Sequence, residues 1–527
     1  MGTLRQRVRA GFHYTLLNRV LVNGVPAIVA LAAVRVVSIA DFGLYNVLIA
    51  LAGLVGKLTS MGWPEAIARY VPRLDARDDG ERLAGLLVRA LGWRFLLTSA
   101  VAGAMVVGFN VIAPIFKLQG SERAFLLFAA TVVFTTQNFL LTAAIESLLL
   151  QRILFAIGTV ASLVQIAYMI VLYVRGGSLV ALMWMELTRS LVLYVLSGYF
   201  VFHVVGQGSW WRALRTRRPF VDTVSVRYRW QSFLNDISQE IFSRRSDYLM
   251  LSYLASAVAV AVYAVPARVV KFVEMLVPVS LLKGPLESAF YRSYERDRSP
   301  DRLNQMYQTL TKVNLTVLGF FLAVSVVFAP AAFVLAFGPP YRESGLIFSI
   351  FIIVMTLYYY PFGFVLRALE RMDLVLWAKT SAVLYFVLAV FFVRWWGAVG
   401  MALATASALL AKNFIAYWLT RRAGGIRMPW AAIGRIALNV AATSTVLLVV
   451  RAALGDGWAG IGAGGAAAVA AYGLLTFVNS GYSADELRQF ADLLPGAVSR
   501  SRPARAVLSG MLQRAQVTAS AAGVGPR

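Results

Sequence analysis

The 527-residue sequence contains no cysteine, so disulfides, thiolate metal sites and cysteine nucleophiles are all excluded. It has two histidines, His13 and His203, which lie near the ends of apolar stretches and have no metal-ligand spacing. No Walker-type phosphate loop is present, so the chain does not itself hydrolyse ATP. Nothing pairs a nucleophile with a base, no sugar-nucleotide site is recognisable, and no metal or cofactor is expected. Charge is also scarce. Charged residues make up 14% of the chain and hydrophobic residues 59%, a balance that excludes an ordinary soluble protein and points to a polytopic helical membrane protein. Acidic residues are few as well: 25 Asp and Glu stand against 50 Lys and Arg, for a net charge of +25. The basic excess does not indicate nucleic acid, because the arginines fall in alternate short connections between apolar stretches. That is the positive-inside pattern, and it also suits anionic lipid headgroups.

What the sequence has in abundance is apolar runs. About fourteen spans are expected, at roughly 11–34, 42–63, 84–112, 123–149, 152–174, 179–204, 230–255, 257–288, 309–336, 343–368, 373–393, 397–419, 431–452 and 458–478. Each is near or above the ~20 residues that a helix needs to cross ~30 Å of hydrocarbon. The Arg-rich connections are 69–82, 152, 212–227, 292–302, 371 and 421–427, whereas the opposite connections hold single cations such as Lys117, Arg175, Arg342 and Arg394. With fourteen spans both termini are expected in the cytoplasm, and the leading Arg5, Arg7 and Arg9 run into a first span with no cleavage pattern. The expected organisation is a bundle over 1–204, a basic linker over 205–229 and a second bundle over 230–419. Two further helices follow over 420–478, then a polar tail over 479–527. Residues 65–83 mix Arg with Asp and Glu and suggest a short surface helix.

The seventh and eighth spans carry Asp236, Glu240, Arg244, Arg245, Asp247, Arg268, Lys271 and Glu274. A charge at the centre of a spanning helix costs roughly 2.5–3.5 kcal/mol even on the mildest scale, so such residues face a protein interior or a wet cavity. Spacings of three and four place Asp236, Glu240, Arg244 and Asp247 on one face of a continuous helix. Counted from an inner boundary near 230, Arg244 would lie roughly 20 Å deep. Arg244, Arg268 and Lys271 are candidate ligands for an anion, since guanidinium groups bind phosphate through paired hydrogen bonds. The other reading is a structural network of Glu240–Arg244 and Lys271–Glu274 pairs that merely locks helices. In the first half, Arg19 lies inside span one, Glu186 and Arg189 form an expected internal pair in span six, and Arg94 is expected to snorkel to the inner surface. Pro26, Pro266, Pro278 and Pro285 interrupt spans one and eight, as bending segments do. Tyr358, Tyr359 and Tyr360 before Pro361 form either a packing cluster or a sugar-stacking surface.

Four segments resemble the polysaccharide-transporter (O-antigen flippase) family of the superfamily that also holds MATE drug exporters. They are Ala40-Asp41-Phe42-Gly43-Leu44-Tyr45 with Gly62 and Arg69, and Arg245-Ser246-Asp247-Tyr248-Leu249-Met250-Leu251 with Val262-Tyr263-Ala264 and Ala267-Arg268. Phe337-Gly338 with Tyr341, and Gly397-Ala398-Val399-Gly400-Met401-Ala402, complete the set. The resemblance covers roughly residues 10–420. It implies an all-α fold of two six-helix bundles, pseudo-twofold around a central cavity lined by spans one, two, seven and eight, with the last two helices added. Tyr45 and Tyr263 begin comparable segments, a faint internal echo.

The expected function is therefore a flippase. It would carry polyprenyl-pyrophosphate-linked oligosaccharide across the bacterial inner membrane for cell-surface polysaccharide synthesis. Arg19, Arg244, Arg268 and Lys271 would receive the headgroup. Asp236, Glu240, Asp247 and Glu274 would hold those cations or carry a coupling proton. Expected partners are that lipid-linked substrate, membrane lipids and other polysaccharide-assembly proteins. The alternatives are a MATE-type drug or metabolite exporter, for which cationic drugs would favour an acidic cavity, and a non-transporting polymerase or scaffold. The outer connections are too short to build a polymerase's catalytic loop.

Overall fold

The computed structural model describes residues 24–77, 79–204, 226–240, 243–281, 286, 290–291, 294, 299–358, 360–479 and 482. Among these the chain is helical, with no strand. Ten stretches are long and apolar enough to cross a membrane: Ile39–Leu58, Gly80–Val107, Glu122–Ser147, Gln151–Arg175, Leu179–His203, Pro300–Phe337, Pro339–Ala368, Asp373–Gly424, Trp430–Leu454 and Trp458–Val478. Asp373–Gly424 holds two of the expected spans, joined at Gly397, whose non-helical φ of 52° and ψ of −124° mark a kink. Span one lies mostly outside the described residues. Span eight is kept off this set by Arg268, Lys271 and Glu274, and span seven because its two helices, of 15 and 11 residues, are each too short. Large side chains such as Val107, Val174, Trp395, Trp430 and Trp458 are exposed, as lipid-facing and interfacial positions require.

The helices group into two compact units, one of residues 1–268 with 389–401, the other of 269–388 with 402–527. In the first unit the described helices are α1 (Val25–Ala33), α2 (Ile39–Leu58), α3 (Trp63–Asp75), α4 (Gly80–Val107), α5 (Phe109–Phe116), α6 (Glu122–Ser147), α7 (Gln151–Arg175) and α8 (Leu179–Val204). They are followed by α9 (Val226–Glu240), α10 (Arg244–Leu254) and the start of α11 (Ala257–Leu276). Ser38 caps α2, its hydroxyl accepting from the Asp41 amide at 3.1 Å, and Asp79 caps α4 in the same way through Arg82. The chain turns from α2 into α3 through Met61 and Gly62, both at positive φ (43° and 72°). The turn is tight because a β-carbon on Gly62 would overlap the Arg229 carbonyl. α3 is the expected surface helix. It buries Trp63, Ala66, Ile67, Val71 and Leu74 in a core shared with α4, α6 and α7, and exposes Arg69, Arg73 and Asp75.

Span seven is not one helix. It ends at Glu240 and restarts at Arg244, with Ser243 extended (φ −83°, ψ 153°). The single face and the depth of Arg244 expected from a continuous helix therefore do not hold. Serines satisfy the break: Ser246 Oγ donates to the Glu240 carbonyl at 2.7 Å and Ser243 Oγ to the Glu240 carboxylate at 3.0 Å. A broken helix survives at membrane depth only when its freed backbone groups find partners in this way.

The second unit contains the rest of α11, then α12 (Pro278–Leu281), α13 (Pro300–Phe337), α14 (Arg342–Tyr358), α15 (Phe362–Ala368), α16 (Met372–Ala378), most of α17 (Ala382–Gly424), α18 (Trp430–Leu454) and α19 (Trp458–Val478). One core gathers Phe290, Tyr307, Phe362, Phe364 and Ala416, and a second gathers Val327, Phe328, Leu447 and Ala468. The Tyr472 hydroxyl donates to the Thr316 carbonyl at 2.8 Å, tying the final helix to α13. Tyr360 packs on Phe362 with ring centroids 5.7 Å apart. Tyr359 and Pro285 lie outside the described residues, as do the linker up to 225 and nearly all of the tail.

Candidate functional site: a cation ladder along α2

α2 is the helix on which the polar groups of the first unit converge. Gly43 begins the arrangement, since a β-carbon there would overlap the Ala257 carbonyl. Its absence lets the start of α11 lie directly on α2, and that contact carries Tyr263 and Arg268 to the helix. Arg268 Nη2 donates to Asn46 Oδ1 at 2.5 Å, and the guanidinium carbon stands 5.3 Å and 5.6 Å from the Phe42 and Tyr45 ring centroids. Aromatic faces stabilise a cation without neutralising it. The buried Arg268 Nη1 has no hydrogen-bond partner among the described residues.

Two buried tyrosines flank this arginine in matching ways. Tyr45 donates to Glu186 at 2.7 Å and Tyr263 donates to Asp247 at 2.5 Å. The echo between the two segments therefore has a physical counterpart, a tyrosine hydroxyl satisfying a buried carboxylate. Glu186 also receives Gln165 at 3.4 Å and lies 3.8 Å from Arg189, the internal pair expected in span six.

Further along α2, the side chain of Arg245 crosses Gly53, where a β-carbon would overlap its Cδ and Nε. Arg245 pairs with Glu240 at 3.2 Å. The partner expected of Glu240 was Arg244, and the helix break accounts for the change by rotating the α10 residues relative to α9. Arg244 stays close by: the charges of Arg244, Arg245 and Arg268 all reach the Tyr248 hydroxyl. At the end of α2, Lys57 pairs with Asp236 at 3.1 Å. Asn46, Gly53 and Lys57 thus mark three cation positions on one helix, roughly 10 Å and then 6 Å apart at 1.5 Å rise per residue.

Contacts at both ends hold span seven on this ladder. Arg229 lies over Trp63 (3.9 Å to the ring centroid) and Arg69 over Tyr228 (4.5 Å), which docks α9 on α3. At the other end Lys117 donates to the Ala255 carbonyl, and Ser252 donates to the Phe116 carbonyl at 2.7 Å.

Of the expected site residues, the structure brings Arg268, Arg244, Asp236, Glu240 and Asp247 together in the first unit. Lys271, exposed, and Glu274, half-buried, belong to the second unit. Arg19 lies outside the described residues. Arg94 departs from expectation. It does not snorkel; it is 2% exposed and donates to the Gly56 carbonyl at 2.9 Å. Sequence reasoning left Arg245, Lys57 and Asn46 out of the site. The available signal was the Gly43-to-Lys57 stretch of α2, where small or polar residues recur at helical spacing opposite spans seven and eight.

A family model described as "polysaccharide biosynthesis protein" matches residues 8–282, which is 275 of the 527 residues. The chain belongs to that family. Among solved structures, its fold is similar to that of the lipid II flippase MurJ in an inward closed conformation. That match has a TM-score of 0.68 at 12% identity and covers 89% of this chain and 98% of the other. It is also similar to an inward-facing multidrug resistance MATE family transporter, with a TM-score of 0.57 at 16% identity and 78% and 93% coverage. No curated protein matches the sequence. At these identities the likeness concerns the fold alone.

Proposed function

We propose that this transporter flips polyprenyl-pyrophosphate-linked oligosaccharide from the inner to the outer leaflet of the bacterial cytoplasmic membrane by alternating access. The observation that carries this reading is Arg268, a cation inside the first unit whose buried Nη1 has no hydrogen-bond partner among the described residues. A bare guanidinium donor costs stability unless an anion completes it, and a phosphate oxygen is the complementary group. Arg244 and Arg245 offer the next positions along α2. Lys271 and Arg19 belong to the proposed set through the family resemblance. Glu240 and Asp236 hold their cations in place, and Asp247 and Glu186 are held by tyrosines. The basic bias favours an anionic cargo over the cationic drugs of a MATE exporter. The bundles 1–204 and 230–419, the linker 205–229, the helices 420–478 and a cytoplasmic tail are proposed as the transport framework, with both termini inside. Other polysaccharide-assembly proteins are proposed partners.

Binding tests this reading. Purified protein in nanodiscs is titrated with a polyprenyl-pyrophosphate oligosaccharide, comparing wild type with Arg268→Ala and Arg268→Lys. A charge-assisted hydrogen bond is worth about 1.5–3 kcal/mol, so the alanine variant should bind roughly 10- to 100-fold more weakly. The lysine variant should fall between. Equal binding by all three would remove Arg268 from the site.

A further inference from the structure

The inner end of α2 holds a second cluster, distinct from the Arg268 site, in which acceptors and donors are left unmatched. Lys57 and Asp236 pair there at 3.1 Å. Glu65, in the first turn of α3, lies against the same Asp236, and its buried Oε2 has no hydrogen-bond partner among the described residues. Arg94, from α4, is 2% exposed. Its Nη2 donates to the Gly56 carbonyl, while its buried Nε and Nη1 have no partner among the described residues. The Arg94 and Glu65 charges act on each other. Two carboxyl groups side by side are both acceptors when ionised, so they bond only when one carries a proton. A guanidinium with two bare donors is the natural partner of the carboxylate once that proton leaves.

We propose that Glu65 is a proton-binding site with two resting positions. Protonated, it donates to the Asp236 carboxylate. Ionised, it is repelled by Asp236 and turns to Arg94. The step balances as one proton released from the Glu65 carboxyl to water at that end of α2, with the O–H bond broken and its electron pair left on Glu65. Asp236 and Lys57 stay paired throughout. The surrounding charges are Lys57 on α2, Arg94 on α4, and Asp236 and Arg229 on α9. On α6 the titratable side chains are confined to the ends, at Glu122, Arg123 and Glu146. Burial, reinforced by the Asp236 charge, raises Glu65 above the usual carboxylate range, against the lowering effect of its backbone hydrogen bond and of Lys57.

The location gives the site a function. Met61 and Gly62, at positive φ, form the elbow between α2 and α3, and Arg229 holds α9 there by donating to the Met61 carbonyl at 3.4 Å. A carboxyl that changes partner from α9 to α4 changes what holds α9 on that elbow. On the flippase reading, this is where a proton can bias transport.

Infrared spectroscopy of the full chain in nanodiscs tests the proposal without transport. A protonated-carboxyl band should be present at mildly acid pH, disappear as pH rises, and be lost in the isosteric Glu65→Gln. Arg94→Lys, which keeps charge but loses two donors, should move the titration midpoint upward. An unchanged band in Glu65→Gln, or no titrating band in a folded wild type, would overturn the proposal. Leaflet transport in proteoliposomes is then measured across the same pH range. A pH profile flattened in Glu65→Gln supports the coupling role. Transport in which Glu65→Gln keeps the wild-type profile overturns that role while leaving flipping intact. A titrating band with no wild-type transport leaves the proton site standing and removes the flippase reading.

Discussion

Tyr45 and Tyr263 each spend their hydroxyl on a buried carboxylate, and Arg268 sits beside Asn46 and two ring faces with Nη1 unpartnered among the described residues. Tyr45→Phe should therefore act in two ways. It removes a hydrogen bond to a charged group, worth about 1.5–3 kcal/mol, and thermal unfolding should register the loss. It also frees Glu186 to draw on Arg268, so substrate affinity should fall further than stability alone explains; unchanged affinity would show that the tyrosine is only structural. Glu65 supplies a pH prediction. Its carboxyl is raised in the fold, so the folded state binds the proton more tightly than the unfolded state does. The stabilisation is present below the ordinary carboxylate pKa and is lost as pH rises through the raised one. Melting temperature against pH should lose that component in Glu65→Gln. At this scale the sequence was informative about Arg268, because a cation in an apolar run has to be accounted for. It was misleading about Arg94, where proximity to a span end suggested snorkelling and the side chain is instead buried, donating to the Gly56 carbonyl of α2. Lys57 was overlooked for a similar reason: in the last turn of a span it resembles an interfacial lysine, and its partner Asp236 lies 179 residues away.

At the scale of the helices, α2 works as a ruler against which spans seven and eight are positioned. Gly43 permits the closest contact. Gly43→Ala places a methyl against the Ala257 carbonyl, an overpacking expected to cost about 1–3 kcal/mol and to pull Arg268 from Asn46. A fall in melting temperature together with weaker substrate binding is the expected outcome, and a variant indistinguishable from wild type would mean that the contact yields without consequence. α2 starts at Ile39, three residues before the expected span, whereas the surface helix was readable from its mixed charges. The break in span seven was not. Glu240 through Arg244 contains neither glycine nor proline, and the serines that satisfy the break are common inside membrane helices too. A periodicity of three and four carried across it gave Glu240 the wrong arginine.

For the whole molecule, membrane orientation rests on the alternation of arginine-rich and arginine-poor connections, and the absence of cysteine makes it directly measurable. Glu122→Cys and Arg422→Cys, both at exposed positions, should label with a membrane-impermeant thiol reagent from opposite sides, Glu122→Cys from outside and Arg422→Cys only after permeabilisation. Labelling of both from one side would contradict the topology. Apolar run length revealed the helical class and most of the spans that the described residues hold. How helices group could not be read from it, because lipid-facing and protein-facing surfaces are both apolar and only local devices such as Gly43 distinguish them. The measurement that bears most directly on function is the leaflet sidedness of a polyprenyl-pyrophosphate oligosaccharide in proteoliposomes holding wild type or Arg268→Ala. Protein-dependent outward exposure of the glycan, lost in the variant despite normal insertion, is the predicted result. Wild-type liposomes in which the glycan stays inside, with pH and ion gradients varied, would contradict it.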